Sequence, residues 1–508
     1  MGYDEDDMNA LIEGFVQGFD LGCSNNMVAK ECRNLVSAFD LPHIVDEKIR
    51  KEVSKGRIAG PYMQAPLPLL HISPLGVVPK KDPGSYRLIH HLSHPKGESV
   101  NDHIPDEVAK VTYQTIDTAI MLIKSVGRGA FLAKTDVSEA FRIMPVHPDQ
   151  YHLLGMKWRG LFYFDRCLPM GCRSSCRIFE RFSSALQWIA EQKLEVCHVS
   201  HVLDDFLFID SSYAGCRGAL SGFIDMCQDI GVPIADDKTF LPSTTMTFLG
   251  YELDTEAMVV RLPKDKLDNC GKLIQEALKK PKITLKGLQC IIGTLNFACG
   301  VIIPGRAFLR RLIDLTIGIV KPFYFIRITS EAREDLRTWA EFLRVYNGKT
   351  LFLEDRWRSS TQLRLFTDAA GAIGYAGLFG GDWFQGQWDE EWRQQSIQLQ
   401  EFYPIVVAVE LWAKRMENGC VLFYTDNEAI AAIINKQSSR DKKIMWLLRR
   451  LVLSCLRYNI LFQAQHIPGK LNTLADLLSR QEMVRFARAA PDLVHRRVAA
   501  PRLPRLPA

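Results

Sequence analysis

Apolar positions crowd the segment from Val199 to Ile209, and two carboxylates, Asp204 and Asp205, sit in the middle of it. Val199, Val202 and Leu203 lead in; Phe206, Leu207, Phe208 and Ile209 lead out. An unpaired carboxylate buried in mid-strand is costly or protonates, so the pattern predicts a β-hairpin with the Asp pair at its tip. No Gly, Asn or Pro supplies that turn, which argues against an ordinary solvated one. Residues 133–141 read as a short strand that ends on Asp136 and runs into a polar turn. Phe179, Phe182, Leu186 and Ile189 recur at helical spacing and predict a helix packed on the core. Further on, residues 363–368 predict a strand delivering Asp368 at its end, and glycines at 371, 374, 377, 380 and 381 punctuate two more strands through Gln387. Glu401 opens a helix with Phe402, Ile405, Val406, Val409 and Trp412 on its buried face, Pro404 being tolerated in the first turn. Residues 421–427 predict a buried strand ending on Asp426, and His466 and the turn after it lead to Asp476 at the start of a helix.

Three carboxylates from two strands can hold two divalent ions about 4 Å apart, an arrangement suited to in-line phosphoryl displacement. With its single acid on one strand and an Asp pair on a hairpin, the chain resembles the reverse transcriptases. The resemblance implies that Asp136, Asp204 and Asp205 are catalytic metal ligands for Mg²⁺ or Mn²⁺, two ions per active site. Val202 departs from it, since the family usually has an aromatic residue there. Other motifs follow in family order. Residues 80–87 form a basic hairpin with Pro83 and Gly84 placed for a type II turn, and Lys80 and Arg87 correspond to the groups that grip the incoming triphosphate. Phe141 corresponds to the ring beneath the deoxyribose. Leu168-Pro169-Met170-Gly171 matches the turn that approaches the template base pair. Lys238 corresponds to the lysine associated with pyrophosphate, and Phe248-Leu249-Gly250 to the primer grip.

Asp368, Glu401, Asp426 and Asp476, in that order of strand, helix, strand and helix, resemble the ribonuclease H family. There four carboxylates hold two metals and activate water, and His466 matches a histidine that helps product leave. The wording of residues 87–102 departs from the retroviral and gypsy-like pattern and, like that of 296–306, is similar to DIRS-like retrotransposons, which use a tyrosine recombinase; the chain as a whole resembles gypsy-like and retroviral enzymes more distantly. His90, His91 and His94 lack further ligands at zinc spacing and read as residues near the template. The fold expected is multidomain α+β and α/β: a right-hand polymerase of fingers, palm and thumb followed by an RNase H-like mixed-sheet domain. The expected divisions are a helical lead-in at 1–60, fingers and palm at 61–258, a thumb at 259–315 with Gly287 and Gly293 interrupting its helices, a short helical tether at 316–360, the nuclease at 361–482 and a disordered basic tail at 483–508.

Composition adds bounds. With 63 basic and 58 acidic residues the net charge is only +5, so local patches such as Lys279-Lys280-Pro281-Lys282 and Arg310-Arg311 must grip nucleic acid. Thirteen cysteines without paired spacing suggest reduced thiols in an intracellular protein, in cytoplasm or nucleus. No apolar run approaches the about 20 residues that span a bilayer, and neither a protease, an integrase nor a recombinase motif is present. The partners implied are RNA template, DNA primer, RNA–DNA hybrid and deoxynucleoside triphosphates, with recombinase or capsid-type proteins on other chains. Two alternatives stay open at this point: a decayed or host-adopted copy that binds nucleic acid as a scaffold, and a chain in which only the ribonuclease H is active.

Overall fold

The computed structural model describes residues 2–24, 27–80, 84–196, 198–345, 349–350, 358–417, 419–458, 460–468, 472–501 and 503. The chain divides into two compact units, one of Met1–Leu249 with Leu253–Ala257 and one of Gly250–Glu252 with Met258–Ala508. The described chain is a mixture of helices and sheets in both.

At the centre of the first unit lies an antiparallel sheet in the order Val199–Val202, Asp205–Asp210, Phe131–Asp136, Phe240–Ser243. Phe206, Leu207, Phe208 and Ile209 are all buried, because this strand is covered on both faces. Phe206 and Phe208 pack on Phe223 of the helix Tyr213–Asp229, with ring centroids 4.7 and 5.2 Å away. Leu207 and Ile209 alternate to the other side, where the helix Ile116–Val126 lies. The helix Ser175–Lys193 buries Phe179, Phe182 and Leu186 as its spacing predicts, but Ala190 takes the next core position and Ile189 is half-buried. The lead-in is not an appendage. Leu11 of the helix Glu5–Gln17, with Phe19 and Leu21, belongs to the same core. Leu75–Pro79 pairs with Tyr86–His90, and Lys80 N–H donates to Ser85 O at 2.8 Å. The tip of that hairpin, residues 81–83, lies outside the described residues, so the expected type II turn is not assessed.

In the second unit the expected thumb forms the helices Lys264–Lys279 and Leu285–Ala298. Gly287 and Gly293 interrupt neither. Gly287 sits in the first turn of the second helix, where its N–H donates to the Thr284 hydroxyl at 3.2 Å. The helix Ser330–Val345, expected as a tether, packs against Lys264–Lys279. Its Asp335 is buried between Arg311 at 3.5 Å and Arg449 of the helix Lys442–Arg457 at 3.3 Å. Arg310 pairs with Asp314 at 2.8 Å. Both arginines that were expected to grip nucleic acid are thus engaged within the fold.

Two three-stranded sheets also lie in this unit. Leu365–Ala370, Gly374–Phe379 and Asp382–Gln387 form an antiparallel meander, and Arg358–Ser359, Cys420–Thr425 and Leu461–His466 run parallel. The long helix beside the meander starts at Ile397, four residues before Glu401, because Ser396 caps it by accepting the Leu399 N–H. Glu401 therefore lies one turn inside, and Pro404 is in the helix interior and not in its first turn. Pro404 withholds the N–H that would reach the Gln400 carbonyl, a defect that a helix buried along most of its length tolerates through packing.

The tail is the clearest departure from expectation. Residues 483–498 are ordered: the helix Met483–Ala489 buries Phe486 completely, edge-on to Trp383 at 5.4 Å. Trp383 Nε1 donates to Leu493 O at 2.7 Å, its N–H donates to Arg496 O, and Val498 N–H returns to Trp383 O at 2.8 Å. Arg and Ala dominate the segment's composition, but Phe486 and Leu493 are the residues that anchor it. Among the described residues no helix is long and apolar enough to cross a membrane. Removing the Phe486 ring should lower stability by about 3–5 kcal/mol. Chemical denaturation of Phe486→Ala beside the parent chain measures this, and an unchanged midpoint would detach the tail from the sheet.

Candidate active sites

The first site is built on the hairpin. Asp136 and Asp205 are direct cross-strand partners, and the chain reverses through Leu203 and Asp204. Leu203 takes the left-handed conformation at φ 53°, uncommon for a branched side chain without Gly's freedom. Two hydrogen bonds hold the turn. Leu203 N–H donates to the buried Glu180 carboxylate at 2.8 Å, and Val137 N–H donates to Asp204 O at 2.8 Å. Behind Glu180 stands His201, ion-pair distance 3.3 Å, whose other nitrogen meets Gln187 and whose ring stacks on Phe206.

Burial, then the field of Asp136, pushes the Asp204 carboxyl up to about 6. Burial also raises Asp205, although Lys134 Nζ lies 3.2 Å from its Oδ1. That Oδ1 is buried and has no aligned hydrogen bond. Lys238 Nζ donates to both oxygens of Asp136, at 2.9 and 3.0 Å. Burial alone would lower the Lys238 ammonium, but its bond to Asp136 outweighs this and its pKa rises. The donor set is all carboxylate oxygen, which suits a hard divalent cation. Two lysines draw Asp136 and Asp205 aside, and the three acids do not close into a tight cluster.

The tight cluster is elsewhere. Among the described residues, Asp368, Glu401 and Asp426 are the only three whose ligand atoms all lie within 4.8 Å of one another. Asp368 sits in the middle of its strand, opposite Ala376, and not at the end as expected. Asp426 follows its strand directly. Burial, with the charge of Asp476 and Asp426 added, pushes Asp368 up to about 6 although the Ser479 hydroxyl bonds it. Burial and then the two neighbouring acids push Glu401 up to about 9. Such mutual repulsion is relieved by a bound cation, so the residues fit a divalent metal. Asp476, in the first turn of Thr473–Ser479, pairs with Arg480 at 2.7 Å and stands outside the tight group. His466 is exposed at the end of its strand, opposite Thr425.

Of the expected substrate residues, Lys80, Arg87, Met170 and Gly171 line one cavity of about 410 Å³. Gly171 has a structural reason of its own: a Cβ would come within 2.4 Å of the His90 carbonyl oxygen. Phe141 is half-buried, edge-on to Phe179 at 5.4 Å. Phe248 is fully buried, so its side chain is core and not a primer contact; the adjacent Leu249 and Gly250 are half-buried and turn the chain at φ 47° and 79°. His90 is likewise internal, bonded to Asp165 at 3.3 Å and to Gly155 O at 3.2 Å. The 12 described cysteines are all free thiols. Glu180, Lys134 and Ser479 escaped sequence reasoning. Glu180 offered one signal, an acid beside Phe179 on the face of the helix predicted to be buried.

Two outcomes follow from these geometries. Glu180→Ala should raise the metal concentration needed at the hairpin site by about tenfold, the worth of one charge-assisted hydrogen bond. Glu180→Gln, which keeps an acceptor, should stay near the parent; equal metal titrations for all three would make Glu180 mere packing. The second concerns pH. A Glu401 carboxyl at about 9, against an ordinary value of 4.5, holds an extra proton in the folded state between those limits. Metal-free stability therefore falls as pH rises through that window. In chelator, the melting temperature should drop less between about pH 6 and pH 8 for Glu401→Gln than for the parent, and added Mg²⁺ should restore the parent more than the variant. Parallel pH dependence in chelator would remove the repulsion from the argument.

Known proteins give the geometry a context. Residues 78–253 match the family model described as reverse transcriptase (RNA-dependent DNA polymerase). Protein P of duck hepatitis B virus (strain Germany/DHBV-3) is 27% identical over 167 residues, 32% of this chain and 20% of that protein. The Pro-Pol polyprotein of simian foamy virus type 1 is 25% identical over 270 residues, 53% of this chain and 20% of that protein. The matched part thus spans about a fifth of these curated relatives. A foamy viral protease-reverse transcriptase solved with double-stranded DNA aligns at TM-score 0.51 and 18% identity, covering 88% of this chain and 87% of that one. One solved with an RNA/DNA hybrid aligns at TM-score 0.52 and 15% identity, covering 92% and 62%. These alignments show a shared fold. Asp136, Asp204 and Asp205 all lie within residues 78–253, the part of the chain that matches the reverse transcriptase family model.

Proposed function

We propose that the chain copies RNA into DNA from a primer and also cleaves the RNA strand of the resulting hybrid. One observation carries this reading: two separate acidic centres occur in one chain, the lysine-flanked hairpin carboxylates and the cluster Asp368, Glu401 and Asp426 within 4.8 Å. Asp136, Asp204 and Asp205 hold Mg²⁺ or Mn²⁺ at the first centre, and Asp368, Glu401, Asp426 and Asp476 hold it at the second. The metal supplies a more acidic primer hydroxyl or attacking water and charge neutralisation at the phosphate.

The chain's own residues do the rest. Lys80 and Arg87, exposed along one cavity with Met170 and Gly171, bind the triphosphate and flank the templating pair. Phe141 excludes a 2′-hydroxyl, and the Leu249-Gly250 turn holds the primer end. Lys238 is charged and already turned to the acids, so it is placed to give a proton to pyrophosphate. His466, exposed beside the second centre, helps cleaved RNA depart. The segments 87–102 and 296–306 support a DIRS-like retrotransposon origin, with a recombinase or capsid-type protein on another chain.

One preparation, given a labelled primer on RNA and a labelled RNA in a hybrid, tests both centres. Asp204→Asn should lose extension by orders of magnitude and keep cleavage; Glu401→Gln should do the reverse. Ribonucleotides in the same extension assay read Phe141→Ala, which should accept them better than the parent. Extension by Asp204→Asn, or cleavage by Glu401→Gln at the parent rate, sinks the corresponding assignment.

A further inference from the structure

The strand pair Lys282–Thr284 and Phe325–Arg327 has two unlike faces. Ile283 stands opposite Ile326, which is buried. On the other face Lys282 stands directly opposite Arg327, and Thr284 opposite Phe325. Like charges directly across an antiparallel pair repel, and among the described residues no salt bridge to an acid relieves Lys282, Lys321 or Arg327. The loop entering the second strand leaves three consecutive rings in solvent: Phe323 is 67% exposed, Tyr324 48% and Phe325 63%.

Backbone bonds hold that loop in place, independently of ring burial. Leu285 N–H donates to Tyr324 O at 2.8 Å and Lys286 N–H to Pro322 O at 3.0 Å, so the loop caps the helix Leu285–Ala298. The cations lie over the rings, Lys282 Nζ at 5.1 Å from the Phe325 centroid and Lys321 Nζ at 5.4 Å from that of Tyr324. A fixed apolar patch of this kind marks an interaction site, and its chemistry identifies the partner. An apolar protein surface would desolvate three unpaired cations without compensation. A polyanion neutralises them, and one with open π-faces also covers the rings. A duplex hides its base faces; a single strand does not.

We propose that this ribbon binds single-stranded nucleic acid, with bases stacked on Phe323 and Phe325 and phosphates held by Lys282, Lys321 and Arg327. The inference does not depend on either catalytic assignment. Binding of short labelled oligo(dT) and oligo(U) to the full chain tests it, measured by anisotropy with excess unlabelled blunt hybrid present to occupy the catalytic centres. Phe323→Ala with Phe325→Ala should weaken the complex by about tenfold or more. Lys282→Gln with Lys321→Gln should reduce the slope of log affinity against log salt by about 1.4. Both variants should keep the parent's melting temperature, and whatever extension and cleavage the parent shows on short substrates. Unchanged affinity in the ring variant overturns the proposal. So does a ring variant whose affinity falls only because light scattering shows loss of a dimer, since the rings would then join two copies of the chain.

Discussion

Carboxylates that repel one another are held together here by a scaffold that gives them no room to separate. At Asp368, Glu401 and Asp426 the basic side chain that acts on the group, Arg480, is paired with Asp476, and Glu401 answers by becoming a weak acid. At Asp136 and Asp205 the same conflict is met by Lys238 and Lys134. The two centres thus represent two solutions to one electrostatic problem. In one, protons stand where a cation belongs; in the other, ammonium groups do. Both leave a site that gains most when a divalent ion enters.

Holding such groups requires rigid backbone around them. The hairpin that carries Asp204 turns through a left-handed leucine, a conformation that costs about 1–3 kcal/mol and persists only when its surroundings enforce it. The enforcing contacts are the Glu180 bond to the turn and the sheet covered on both faces by helices. Glu180 is itself a buried carboxyl group, so the turn that carries Asp204 rests on a second costly group, with His201 and Gln187 supporting it.

The second unit uses a buried charge differently. Asp335 lies between Arg311 and Arg449 and so ties the helix 330–345 to segments far apart in sequence. Burial raises the Asp335 carboxyl to about 6 even with two arginines beside it, and burial lowers Arg449 to about 10. Such a group adds little net stability, because desolvation offsets the attraction, but it penalises alternative packings that leave one partner alone. The acidic cluster is presented from this unit, whose helices and sheets form one compact body.

What the sequence determined by itself was local chemistry and order. The Asp204-Asp205 interruption of an apolar run required a tip, since no strand interior accepts two charges. The succession Asp368, Glu401, Asp426 marked a second acidic centre before any contact was known. Tertiary structure alone decided how the acids are balanced and braced. Lys134, Lys238 and Glu180 reach their carboxylate or turn from other elements, and the separations of 71, 102 and 23 residues carry no periodic signal. Resemblance places Phe248 and His90 near the substrate, yet both side chains are internal, Phe248 in the core and His90 against Asp165 and the Gly155 carbonyl. Composition misled at 483–498, where two apolar side chains anchor a segment rich in Arg and Ala. The ring cluster at 323–325 joins Lys282 only through a strand pair closing about 40 residues apart, a distance at which sequence pattern is blind.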